Sequence, residues 1–238
     1  ALPVSALGGK VAVDHHAGKN LIGAFHQPLL VLTDIDPFAT LAPRELRCGL
    51  AECIKHAVIR DADLFSFIAD NLAKIAAVDV PVVEELVARN VAIKAAIVAE
   101  DPFEQNVRAL LNFGHTFGHA IETVLNYTGV THGEAIALGM TAAARLAHHL
   151  GRFSYEDARR LLTLLDYAEL PTCCIDVDVE KTLAAMRTDK KVQSGKIRLV
   201  LPTRIGAAEV VTDVSDDDIR RAIRYLHQPI VAEKRQDA

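Results

Sequence analysis

Apolar and polar positions along this chain follow two different rhythms, and most of the length follows the helical one. In "PRELRCGLAECIKHAVI", Leu46, Leu50, Cys53, Ile54, Ala57 and Val58 recur at three- and four-residue steps. That spacing draws one apolar stripe along an α-helix and leaves Glu52 and Lys55 together on another side. A second helix is predicted from near Pro81, a favoured first-turn residue, to just before Pro102. Its stripe holds Leu86, Val87, Ile93, Ile97 and Val98, with Lys94 set among small and apolar neighbours. A third helix is predicted from about Arg108 to Leu125. A fourth follows His132, is rich in Ala and Gly, and ends at Gly151, so it suits close packing. Ser154 with Asp157, and Ser215 with Asp218, match the start signal of two later helices.

The second rhythm is shorter. "QPLLVLTDID", residues 27–36, is a brief apolar run bounded by Pro28 and Pro37 and reads as a buried strand. "KIRLVLPTRIGAAEVVT" reads as two strands joined by a turn around Pro202 to Gly206. The pattern therefore predicts a mainly α fold, a helical domain over residues 41–238 with a small β-hairpin. It is preceded over residues 1–40 by the remnant of an α/β domain. The chain opens at Ala1 inside the run "LPVSALGGK", which reads as an entrance into the middle of something.

Composition narrows the classes. A chain of 238 residues, half of them hydrophobic, can bury a real core in one or two domains. The net charge of −5, with no basic run, argues against a nucleic-acid surface. No apolar stretch is long enough to span a membrane, and the start does not read as a signal peptide. Cys48, Cys53, Cys173 and Cys174 form no C-x-x-C pair and no disulfide framework, which fits a reducing cytoplasm.

Chemistry concentrates in "NFGHTFGHAIE", where His115 and His119 stand four residues apart. On a helix that spacing puts both imidazoles on one face. They can share one metal ion, or serve as one ligand and one proton-transfer group; the spacing fits both. Glu52, His115 and His132 also form a set, each near a glycine that lets backbones approach closely: Gly49, Gly114 and Gly133. One carboxylate and two imidazoles with an open position make a common catalytic zinc arrangement. The plainer alternative is three surface or capping residues far apart in the fold. Lys10, Lys19, Lys55, Lys94, Arg108, Lys190 and Lys191 are mostly single cations in apolar or glycine-rich surroundings. As a set they can neutralise a small polyanion such as a phosphorylated acid. A solvated helix face accounts equally for Lys55 as the i,i+3 partner of Glu52.

Five stretches in order, "GGKVAVDHHAGKNLIGAFHQP", "GLAECIKHAVI", "VRALLNFGHTFGHAIE", "HGEAIALGM" and "DKKVQSGKIRLVLP", resemble the 3-dehydroquinate synthase family from about residue 4 to residue 214. The resemblance implies an NAD- and metal-dependent lyase of the shikimate pathway. It implies a divalent ion, zinc or cobalt, held by Glu52, His115 and His132. It implies catalytic roles for His119, Glu104 and Lys55. The substrate pocket it implies comprises Lys10, Asn20, Lys55, Lys94, Arg108, Asn112, His119, Lys190 and Lys191. For the nicotinamide cofactor the matching positions are Lys19, Asn20, Thr40, Leu41 and Glu45. The implied reaction converts 3-deoxy-arabino-heptulosonate 7-phosphate to 3-dehydroquinate and phosphate, and the full-length family is typically dimeric.

Two departures accompany the resemblance. The family's dinucleotide-binding domain, with its glycine-rich loop, is absent, and residues 1–40 read as its remnant. One wall of the cofactor cleft is left, so the chain is expected to bind NAD weakly or not at all and to be inactive alone. Val4 stands where the family usually has Asp. The competing readings are another sugar-phosphate cyclase, of the inosose or valiolone type, and a non-catalytic helical interaction domain.

Overall fold

The computed structural model describes residues 7–15, 18–104, 106–188 and 197–228, with only the backbone course of residues 14, 15 and 18–21. Strand β1 (Lys10–His15) pairs antiparallel with β2 (Gly18–Phe25), Lys10 opposite Phe25 and Val13 opposite Ile22. This hairpin was not foreseen. Its Val11, Val13, Ile22 and Phe25 are exposed.

The expected buried strand over residues 27–36 does not form. Residues 26–35 run without regular structure, and Leu29, Leu30 and Leu32 are exposed. A strand is held by a ladder to a neighbour, and no neighbouring strand lies beside this run among the described residues. A short 3-10 turn, Asp36–Thr40, then plants Phe38 against Val83 and Val87.

Helix α1 (Pro43–Arg60) begins with Pro43 in its first turn, where the missing N–H costs no hydrogen bond. Its second half is buried nearly all round, Lys55 included, so the solvated-face account of Lys55 is set aside. Asp61 ends α1 and starts α2 (Ala62–Ala76), its carboxylate accepting from the Leu64 N–H at 2.8 Å. Helix α3 (Val80–Glu100) spans the predicted second helix.

The predicted helix over residues 108–125 is divided. A 3-10 turn, Val107–Asn112, gives way to α4 (His115–Val124) at Gly114, whose φ of +77° suits glycine. Helix α5 (His132–His149) is the buried axis of the molecule; its Ala-rich sequence lets α1 and α4 lie close. Helix α6 (Tyr155–Tyr167) has the expected Ser154 cap, and α7 (Val179–Thr188) follows. Strands β3 (Leu199–Arg204) and β4 (Ala207–Val211) form the expected hairpin, with Pro202 inside β3 opposite Ala208 and not at the turn. Helix α8 (Asp216–Arg224) starts at Ser215 as its sequence signal requires. One large apolar core joins these helices and the β3–β4 hairpin. No helix among the described residues is long and apolar enough to cross a membrane.

Candidate metal and anion site

The first turns of α4 and α5 and the middle of α1 meet at one place. Gly133, beside His132, permits this: a Cβ there would lie 2.4 Å from both Cα and the carbonyl oxygen of Cys48, in α1. The junction is tied by side chains as well. Thr131 and Glu134 make a capping box at the start of α5. Arg44 of α1 grips the same Glu134 with two hydrogen bonds, 2.7 Å from Nε and 2.6 Å from Nη2.

Three imidazoles gather there. The ring centroids of His115, His119 and His132 lie 5.3, 5.6 and 5.9 Å apart. Each ring offers a nitrogen within 4.8 Å of the other two, a group that can hold a metal ion. Glu52 faces the cluster from α1, its Oε1 3.4 Å from His115 Nε2 and 3.8 Å from His132 Nε2. Two ligands about 2.1 Å from one tetrahedral ion sit roughly 3.4 Å from each other. Among the described residues no donor meets the buried Glu52 Oε1, whereas Oε2 accepts from the buried Lys55 ammonium. A buried carboxylate oxygen with no donor is costly unless a cation fills the gap, so the donor set fits a divalent ion.

Electrostatics point the same way. Burial alone would raise the Glu52 carboxyl, but the charges of Lys55 and His115 outweigh it and hold the group well below the usual carboxylate range. The hydrogen bond that His132 donates to the Glu122 carboxylate, more than burial opposes, raises His132. Lys94 is pushed down to about 8, by burial first and by the Lys55 charge second. Behind Lys55, burial drives His56 down to about 3, and its Nδ1 meets Asn90 Oδ1 at 2.9 Å.

Glu52, Lys55, His56, Lys94 and the three imidazoles line a cavity of about 760 Å³ that also holds Lys10, Glu45, Glu104, Arg108 and Asn112. Lys10 pairs with Glu104, which also accepts from Asn112 Nδ2 at 2.9 Å. The Arg108 guanidinium is buried and donates to the carbonyls of Pro102 (2.6 Å) and Gly8 (2.7 Å), so it braces the wall as well as lining it. Thr40 and Leu41 do not line the cavity. Lys19 and Asn20 fall on β2, where only the backbone is described. Lys190, Lys191 and Val4 lie outside the described residues.

Sequence reading passed over the groups behind the imidazoles. His132 Nδ1 lies 3.3 Å from Glu122 Oε1, and His115 Nδ1 lies 3.1 Å from the Phe113 carbonyl oxygen. The signal for Glu122 was present: it sits seven residues after His115, two helical turns along the same face.

Comparison with known proteins gives this arrangement a setting. The chain superposes on 2-epi-5-epi-valiolone synthase from Streptomyces hygroscopicus subsp. jinggangensis 5008, a structure with NAD⁺ and Zn²⁺ bound. The TM-score is 0.86 at 29% identity, over 94% of this chain and 63% of that one. It also superposes on a 2-deoxy-scyllo-inosose synthase complexed with carbaglucose-6-phosphate, NAD⁺ and Co²⁺. That TM-score is 0.81 at 26% identity, over 93% of this chain and 63% of that one. The fold is that of the sugar-phosphate cyclases. Residues 49–192 match the 3-dehydroquinate synthase C-terminal domain and residues 1–48 the N-terminal one, so the chain belongs to the 3-dehydroquinate synthase family. A 3-dehydroquinate synthase of Nostoc punctiforme (strain ATCC 29133 / PCC 73102) is 45% identical over 229 residues, 95% of this chain and 63% of that protein. The chain thus spans somewhat under two thirds of the length of these relatives.

Proposed function

We propose that this chain carries the metal- and substrate-binding part of a cytoplasmic 3-dehydroquinate synthase. The parent protein would convert 3-deoxy-arabino-heptulosonate 7-phosphate to 3-dehydroquinate and phosphate. The observation that carries the metal assignment is the donor-less Glu52 Oε1 facing His115 and His132. These three residues would hold the divalent ion, and His119 stands beside them as the proton-handling group. The 45% identity to a 3-dehydroquinate synthase supports the substrate assignment.

When bound, the metal supplies Lewis acidity toward a substrate oxygen, and NAD supplies reversible hydride acceptance. The chain's own side chains do the rest. Lys10, Lys94 and Arg108, with Lys190 and Lys191, draw the substrate's carboxylate and phosphate out of water and fix their places. Asn112 and Glu104 hold each other and Lys10 in register, which keeps Glu104 placed to relay a proton with His119. Lys55 keeps Glu52 ionised and correctly turned. For NAD the chain offers Lys19, Asn20, Thr40, Leu41 and Glu45. The full-length protein would be a homodimer.

Metal analysis of the purified chain tests the site. One zinc per chain is expected, with loss of stoichiometric zinc in Glu52→Ala and circular dichroism unchanged. Zinc retained by that variant, or none in the wild type, overturns the assignment. A second reading, a cyclase of the valiolone or inosose type, is favoured by the two superpositions. Phosphate release by the full-length protein with each sugar phosphate separates the two.

A further inference from the structure

The far side of His132 carries an observation that the assignment of ligands does not use. Glu122 lies on α4, three residues after His119 and seven after His115, so the three side chains share one face of that helix. Its carboxylate is buried, and Oε1 sits 3.3 Å from His132 Nδ1. The opposite nitrogen of the same ring, Nε2, faces Glu52 Oε1 at 3.8 Å. A neutral imidazole has one N–H and one lone pair, and the partner of one nitrogen decides which is which. An acceptor at Nδ1 draws the proton there and leaves the Nε2 lone pair turned toward Glu52 and His115. His115 is treated alike, its Nδ1 against the Phe113 carbonyl oxygen and its Nε2 toward Glu52.

We propose that Glu122 is a positioning residue, fixing the tautomer and ring angle of His132 so that Nε2 is presented, unprotonated, to a divalent cation shared with Glu52 and His115. This rests on the metal assignment above. It differs from a purely structural role, in which Glu122 only ties α4 to the start of α5. Removing a mere tie would lower the melting temperature of the metal-free chain and leave the ion's affinity and environment alone. Removing an orienting acceptor does the reverse, since such partners of ligating histidines typically carry about 10- to 100-fold in metal affinity.

The experiment uses the whole chain, stripped of metal and titrated with zinc against a chromophoric chelator. The same variants loaded with Co²⁺ report ligand geometry through their visible absorption. Glu122→Ala is expected to bind zinc about 10- to 100-fold more weakly, with a changed Co²⁺ spectrum. Glu122→Gln keeps an acceptor oxygen in the same place, so it should recover affinity to within a few-fold and restore the spectrum. It should also melt like the wild type without metal. Wild-type zinc affinity and a wild-type Co²⁺ spectrum in Glu122→Ala overturn the proposal, as does a folded Glu122→Gln that binds as weakly as the alanine variant. A Glu52→Ala control separates the two levels. If it too binds like the wild type, the metal site falls and Glu122 with it. If only Glu52→Ala loses zinc, the site stands and the role of Glu122 falls.

Discussion

The start of the chain and its helical core make opposite use of apolar side chains. In α5, Leu138, Ile136 and Met140 are fully buried, with neighbouring helices and strand β3 packed around the helix. In residues 10–35, Val11, Val13, Ile22, Phe25, Leu29, Leu30 and Leu32 stand more than half exposed. The two stretches read alike as hydrophobic sequence. Whether the side chains of such a run are buried depends on whether a packing partner is at hand, and among the described residues only the core has one.

The sharpest test of that contrast removes the same atoms from each region. Leu138→Ala should lower unfolding free energy by about 2–5 kcal/mol, because it leaves a cavity in a packed core. Leu30→Ala should change it by less than about 0.5 kcal/mol. Urea unfolding measures both, and equal losses would erase the distinction. Within the core, Gly133→Ala forces a methyl into the α1 backbone and should cost about 1–3 kcal/mol. Because that contact sets the spacing between Glu52 and His132, zinc affinity should fall with it.

An effect confined to acid pH comes from His56, whose ordinary value of 6.5 is driven down to about 3 in the folded chain. Between those values the unfolded chain binds a proton that the folded chain refuses, so stability is present above about pH 6.5 and drains away as pH falls toward 3. His56→Gln, which can still meet Asn90, should flatten that part of a stability-against-pH profile; an unchanged slope would assign the acid sensitivity elsewhere. The smallest effect expected is at Lys94. Its amine should reach half-maximal reactivity with an acylating reagent near pH 8, and inorganic phosphate should move that midpoint upward. Phosphate without effect would mean that Lys94 meets no anion.

Much of the helical frame was legible because it is written locally. Pro43, Pro81, Ser154 and Ser215 punctuate the chain where helices do begin. Helix α2 was overlooked although Leu64, Phe65, Ile68, Leu72 and Ile75 repeat at helical steps. Only Asp61 separates it from α1, with neither Pro nor Gly to mark the seam. The division at Gly114 escaped because one glycine inside a helical pattern looks tolerable until its backbone is seen to turn left-handed. The strand expected over residues 27–36 failed for a non-local reason, since propensity supplies no ladder partner. At the site, the His115–His119 spacing was readable from the helix period alone. The nearness of Glu52 to His132, 80 positions away, depends on the Gly133 contact; the residues alone offered the set only as one of two alternatives, and the family resemblance chose between them.

Arg44 and Glu134 stand outside the donor set. Their double clasp fastens α1 to α5 with groups that touch no ion. The opening between Glu52 and His132 is therefore dictated by scaffolding that stays assembled when the occupant leaves. Such a chain should survive chelation intact and accept whichever divalent species its surroundings provide. Loading would then be governed by supply, with no refolding step in between.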